Sequence, residues 1–311
     1  MREDAETISG CSDVLILGWS GFIGSNLRAH LEKQGLSVFG IGRSSSLSSA
    51  SFIDTADPKW LLRILDTHRV SIVVNSIGNV SKSTSRAIDS QSWEEIRKGF
   101  EEAIDGLMGL KRVIHFGSAA EYGSAPIPFS EQALASPTTD YGRAKLKETQ
   151  FFSSLSNHGV RTIVVRPSNV IGANMRGGML IPSALRAISG GEKLQVFKPY
   201  AVRNYVYISD LISAVIRIIL DEGPLPQVLN LGSSNNFSNY ATLGKLASAL
   251  SLPLESFVTG LDGEIAPEGV DSSPDTLTID SDLARIVLGW EHETSMESAF
   301  LKIGRDLGLI D

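Results

Sequence analysis

The chain has 311 residues, of which 20% are charged and 42% hydrophobic, with a net charge of −7, five histidines and one cysteine. That is the make-up of a soluble globular protein large enough for one big or two modest domains. The acidic balance excludes a general attraction to nucleic acid or to acidic membranes, and the lone Cys11 excludes an intrachain disulfide or a multi-cysteine zinc site.

Residues 1–12 are a polar, acidic lead-in unlike a secretory signal, so a cytoplasmic location is expected. No apolar run reaches membrane-spanning length. Val14 to Leu17 suit a strand buried on both faces. Gly18, Gly21 and Gly24 follow, and Ile23, Leu27 and Leu31 recur at helical spacing until Gly35, a natural stop. Strand, glycine turn and helix together predict a dinucleotide site over Gly18, Gly21, Phe22, Ile23 and Gly24. There the helix N–H groups and dipole face a pyrophosphate, and the missing side chains let backbone approach it.

Leu36 to Ile41 read as the second strand, followed by a serine-rich loop over 44–51 and a short third strand at Phe52 and Ile53. Asp57-Pro58 opens a helix, and Ser71 to Val74 form a buried strand that ends in Asn75-Ser76-Ile77-Gly78. A helix over 91–109, a strand over 112–116, a helix over 138–157 and a strand over 161–165 come next. Alternation of this kind predicts an α/β fold built on a doubly wound parallel sheet. Residues 168–205 look irregular apart from a helix at 181–189. Beyond them lie a helix at 209–220, a strand at 228–231, a helix near 240–250, a polar loop at 262–276 and helices at 281–288 and 295–307. The dinucleotide domain is placed at 11–167, with a return segment at about 204–232. Residues 168–203 and 233–311 are expected to form a smaller, partly interleaved substrate domain.

Three residues could carry proton chemistry. Ser118 lies just past the strand 112–116, where open α/β sheets bind ligands, and Tyr141 and Lys145 are four apart on one helix face. A phenol ordinarily titrates near pH ~10, and a neighbouring ammonium favours its ionised form. Tyr141 could then exchange a proton with a substrate oxygen held by Ser118, while Lys145 donates to a ribose hydroxyl. The five histidines show no paired metal-ligand spacing.

Taken together, the glycine triplet, Gly117-Ser118-Ala119-Ala120-Glu121-Tyr122-Gly123 and Tyr141-Gly142-Arg143-Ala144-Lys145 resemble the extended branch of the short-chain dehydrogenase/reductase superfamily, whose members act largely on nucleotide-activated sugars. The resemblance continues through Arg166–Gly172 and Val202–Leu211, and so covers nearly the whole chain in order. It implies a Rossmann sheet, Tyr141 as acid/base, Ser118 as its partner, and Lys145 on the nicotinamide ribose. It further implies that Asp54, with Thr55, meets the adenine. Ser76, Ile77 and Gly78 would then run along the cofactor, and Asn169 and Arg203 would touch the diphosphate of a nucleotide sugar. Members commonly form homodimers through the helices here at about 91–109 and 138–157. The Asn-Val-x-Gly-Thr pattern usual in the first of these is absent.

The sugar dehydratases of the family carry acidic residues one or two places after the Ser/Thr. Here those places hold Ala119 and Ala120, which argues against expulsion of water. Glu121 falls one place too far along, at a position usually apolar, and reads as a solvated or locally paired carboxylate. At the end of the second strand, Arg43 and Ser44 suit a 2′-phosphate better than a bare ribose, favouring NADP(H), with NAD as the alternative. The expected activity is therefore NADP(H)-dependent reduction of a nucleotide-linked keto sugar, a 4-keto-6-deoxyhexose above all. The alternatives are a nucleotide-sugar 4-epimerase with bound NAD, and a non-catalytic dinucleotide sensor.

Overall fold

The computed structural model of the chain describes residues 13–41, 57–78, 90–261 and 274–311. The first apolar run becomes β1 (Asp13–Leu17), and the helical spacing behind it becomes α1 (Phe22–Lys33). Gly35, at φ +79°, turns the chain into β2 (Val38–Ile41). Helix α2 (Trp60–Thr67) starts later than expected: Asp57 Oδ1 accepts from Lys59 N, and its carbonyl accepts from Trp60 N, so it caps the turn leading into the helix. Next come β3 (Val70–Asn75), α3 (Ser90–Glu102), α4 (Ile104–Leu107) and β4 (Arg112–Phe116). The single helix expected over 91–109 is broken at Ala103. The break lets Ala103, Leu107 and Leu110 turn into the core before β4 begins. Helix α5 (Asp140–Ser154) and β5 (Thr162–Pro167) complete this half.

The segment read as irregular contains short strands. After β6 (Asn169–Ile171) come α6 (Leu180–Gly190), β7 (Leu194–Gln195) and β8 (Val202–Tyr207). β6 and β7, at three and two residues, are too short for an alternating pattern to show, and in the six-residue β8 Arg203 and Asn204 interrupt the apolar run although the strand is buried. Helix α7 (Ile208–Leu220), β9 (Val228–Leu231), β10 (Asn236–Ser238) and α8 (Asn239–Ala249) follow. The chain ends with β11 (Val258–Thr259), β12 (Thr276–Leu277), α9 (Asp282–Leu288) and α10 (Met296–Asp306). The strand expected at Phe52 and Ile53 lies outside the described residues, as do the loop 44–51 and Cys11.

The central sheet runs β2-β1-β3-β4-β5-β9, every pair parallel. Alternate residues serve two cores: Val14, Ile16, Ile114 and Val165 face α1 and α7, while Leu15, Leu17, Val113 and Val164 face α2, α3 and α5. Burial on both faces is why these strands read as continuous apolar runs. The winding reverses between β1 and β3, which opens a crevice at their carboxyl ends, the usual ligand position in such sheets. A second sheet, β10-β8-β12 with β6 beside β8, is built from the later segments. Among the described residues no helix is long and apolar enough to cross a membrane.

Candidate active site

At the end of β1 the backbone does the work. Gly18 turns at φ +85°, where a side chain would meet Ser76 Oγ at 2.9 Å. A Cβ on Gly24 would lie 2.3 Å from the Gly18 carbonyl oxygen, so the helix can sit this close to the turn only without one. Ser76 closes the other side, its N–H and Oγ both donating to Leu17 O at 2.9 Å. Gly21 is the exposed N-cap of α1, and among the described residues no side chain caps the helix, so the first-turn N–H groups, including those of Phe22, Ile23 and Gly24, are left for an anion. This cradle fits a dinucleotide pyrophosphate. Trp19, within the same turn, is buried against Gly40 of β2, where a Cβ would stand 1.8 Å from the indole ring. Arg43, Ser44, Asp54 and Thr55 lie outside the described residues.

At the end of β4 the work is done by side chains. Ser118 N-caps a short 3-10 turn (Ala119–Glu121); its Oγ accepts from Ala120 N at 3.2 Å, leaving its own proton to be donated elsewhere. Helix α5 opens beside it, capped by Thr139, whose Oγ1 accepts from Gly142 N at 3.0 Å. A Cβ on Gly142 would approach Ala120 O to 2.4 Å, so this glycine lets the first turn of α5, carrying Tyr141, press against the Ser118 turn. One turn on, Lys145 Nζ donates to Phe116 O at 2.9 Å and to Glu148 Oε2 at 2.7 Å. Gly78, at the end of β3, would place a Cβ 3.7 Å from the same nitrogen. Ser118, Tyr141 and Lys145 thus gather around the end of β4, with the end of β3 alongside. Tyr141 is half-buried and Lys145 buried. Burial presses the Lys145 ammonium towards its neutral form, but Glu148 and Tyr141 outweigh it, and its pKa is raised.

The Glu121 carboxylate is locally paired and not solvated at all, with 0% exposure. Its Oε1 accepts from Ser118 N at 2.7 Å and Thr149 Oγ1 at 3.0 Å, and its Oε2 from Arg166 Nε at 2.9 Å. The Arg166 guanidinium lies 4.5 Å over the Tyr122 ring. Glu121 therefore ties the Ser118 turn to α5 and to the end of β5 from within the interior. Asn169 and Arg203 stand on the neighbouring strands β6 and β8. Asn169 Nδ2 donates to Asn204 O at 3.0 Å, and Arg203 Nη1 to Val202 O at 2.9 Å and Asp275 O at 3.3 Å. Sequence reasoning missed Glu148, His115 and Asn75. The signals were present: Glu148 is three residues past Lys145 on the same helix face, and His115 is a polar residue inside an apolar strand.

The sequence matches the profile of the NAD dependent epimerase/dehydratase family over residues 14–232. It is 28% identical over 304 residues to a dTDP-6-deoxy-L-talose 4-dehydrogenase (NAD(P)(+)) of Kitasatospora kifunensis, covering 92% of each chain. It is also 28% identical over 312 residues to a UDP-glucose 4-epimerase of Lactobacillus helveticus, covering 89% of this chain and 91% of the relative. Among solved structures, a UDP-glucose 4-epimerase of Thermotoga maritima with UDP-glucose superposes with a TM-score of 0.80 at 21% identity, covering 95% and 99% of the two chains. A UDP-glucuronic acid 4-epimerase of Bacillus cereus, in complex with UDP-glucuronic acid and NAD, gives 0.79 at 19% identity with the same coverage. With its glycine turn, its parallel sheet and a profile match across most of its length, the chain belongs to the NAD dependent epimerase/dehydratase family.

Proposed function

We propose that the chain is an NADP(H)-dependent reductase of a nucleotide-linked 4-keto sugar, a 4-keto-6-deoxyhexose above all. The observation that carries this reading is the grouping of Ser118, Tyr141 and Lys145 at the end of β4, with Ala119 and Ala120 where a dehydratase needs its acid and with Glu121 turned inward. The talose 4-dehydrogenase relative supports chemistry at the sugar C4, and Arg43 and Ser44 support the phosphorylated cofactor. The N-terminus of α1 and Gly18–Gly24 hold the pyrophosphate, Ser76, Ile77 and Gly78 flank the dinucleotide, and Asn169 and Arg203 meet the diphosphate of the substrate. When bound, the dinucleotide supplies the hydride. Ser118 donates a hydrogen bond to the keto oxygen, and Tyr141 gives that oxygen its proton. Lys145 holds positive charge beside Tyr141 and donates to the ribose.

The UDP-glucose 4-epimerase relatives favour a second reading, a 4-epimerase that retains NAD and uses the same three residues. Mixing the protein with NADPH and a 4-keto-sugar nucleotide while following absorbance at 340 nm separates the two. Stoichiometric loss supports the reductase, and interconversion of sugar nucleotides without loss supports the epimerase. Tyr141→Phe is expected to lower turnover by about 10²–10⁴-fold while leaving dinucleotide affinity nearly intact. Unchanged turnover in that variant overturns both readings.

A further inference from the structure

We infer that Glu148 is a positioning residue for this chemistry: its buried carboxylate keeps Lys145 charged and fixes the ammonium against the carboxyl ends of β3 and β4. The inference builds on the function proposed above, but it is argued from contacts that exist without any ligand. Lys145 is 3% exposed and Glu148 5%, and they meet at 2.7 Å. An ammonium so deeply buried gives up its proton unless a charge of opposite sign lies beside it. Glu148 is that charge. Among the described residues two of the three ammonium protons are taken, by Phe116 O and Glu148 Oε2, which leaves one for a ligand or for Tyr141.

A chain of neutral groups holds Glu148 from behind. Asn75 Oδ1 accepts from Ile77 N at 3.2 Å, so its amide nitrogen is the atom facing His115 Nδ1, at 3.1 Å. That assigns Nδ1 as the acceptor and leaves the ring proton on Nε2. His115 is stacked on Phe152 with ring centroids 4.1 Å apart, and burial, helped by Lys145, holds its pKa well below the usual range, so it stays neutral. Among the described residues its Nε2 has no hydrogen-bond partner, and it lies 3.6 Å from Glu148 Oε2, so the N–H dipole supports the carboxylate. Among the described residues, the charged and titratable groups facing this pair are Tyr141 on α5, His115 on β4 and Glu121 in the turn after β4. The chain starts at the peptide of Ile77, on the strand end proposed to flank the dinucleotide, and finishes at Lys145.

The test compares the wild type with Glu148→Gln. The side-chain nitrogen resonance of Lys145, identified by its loss in Lys145→Arg, is titrated by NMR in ligand-free protein, and the pH profile of NADPH-driven turnover is recorded. In Glu148→Gln, Lys145 is expected to lose its proton at least about one pH unit lower, a tenfold change in its acidity. The alkaline limb of turnover is expected to move down with it, and NADPH to bind several-fold more weakly. Glu148→Asp, which restores the charge, is expected to return the alkaline limb towards the wild-type position. A purely structural role lowers turnover at every pH and leaves the limb where it was. An unmoved Lys145 titration in folded Glu148→Gln overturns the inference. If Glu148→Gln does not fold, His115→Phe keeps the stacking on Phe152 and is expected to shift the same titration downward by a smaller amount; no shift there overturns it. Absence of Tyr141-dependent turnover in the wild type overturns the proposed function alone, because the ligand-free titration still decides the role of Glu148.

Discussion

The ends of β1 and β4 both sit at the top of the same sheet, yet they are built on opposite terms. The turn after β1 is shaped by side chains that are missing: a left-handed glycine, a helix start without a cap, and a second glycine 2.3 Å from clashing with the first. The turn after β4 is shaped by side chains that are present, buried and paired: Glu121 with Arg166, and Lys145 with Glu148. A site for a large anion needs open N–H groups and close backbone, which glycine alone allows. A site for proton transfer needs charges held in fixed positions, which requires partners to hold them. The first kind of site is robust to pH, and the second is sensitive to the loss of any one partner.

The two ends can be set against each other by mutation. Glu121→Ala strands Arg166 in the interior and removes the acceptor of Ser118 N; chemical denaturation is expected to reveal a loss of about 3–5 kcal/mol. Gly24→Ala forces the helix away from Gly18, at about 1–3 kcal/mol for overpacking. It is expected to abolish NADPH quenching of tryptophan fluorescence while leaving the Lys145 titration in place. If Gly24→Ala moved that titration as far as Glu148→Gln does, the two ends would not be separate constructions.

A group outside both ends calibrates the pH response. Burial pushes the Tyr205 phenol up to about 12, so the folded chain holds that proton after the unfolded chain has lost it. The sign follows: stability is unaffected below about pH 10 and falls above it, by about 1.4 kcal/mol at pH 11. Tyr205→Phe is expected to remove that part of the alkaline loss in urea melts at pH 8 and pH 11. Any remaining alkaline loss includes the raised Lys145, whose contribution is complete below its unfolded pKa and disappears as pH rises through the folded one. Thr139→Ala removes the cap of α5 and is expected to cost about 1 kcal/mol with a modest fall in turnover, the smallest effect of the set.

These two constructions differ in how far they can be read from the chain. Gly18, Gly21 and Gly24 sit within a strand-turn-helix of adjacent residues, so spacing alone locates the cradle. Ser118, Tyr141 and Lys145 stood out as a set only together with the glycine triplet and the later motifs, through their resemblance to the extended short-chain dehydrogenases/reductases; helix spacing and a serine after a strand do not single them out. The polar network behind them was not legible. Asn75, His115 and Glu148 come from β3, β4 and α5, and no local pattern reports that they touch. Glu121 read as a solvated or locally paired carboxylate; it is paired, but nothing near it in sequence announces Arg166 on β5 as the partner.

The order of residues along the chain was enough to fix the alternation of strands and helices, the parallel sheet and the place of the glycine cradle, since each follows from periodicity and from the backbone freedom of neighbouring residues. The broken helix at Ala103, the short strands of the second sheet and the buried pairing of Glu121 and Glu148 depended on folding. A polar group in the interior is stable only with a partner; for Glu121 that partner, Arg166, arrives from a strand the sequence keeps far away, whereas Glu148 finds Lys145 on its own helix and only His115 comes to it from a distant strand.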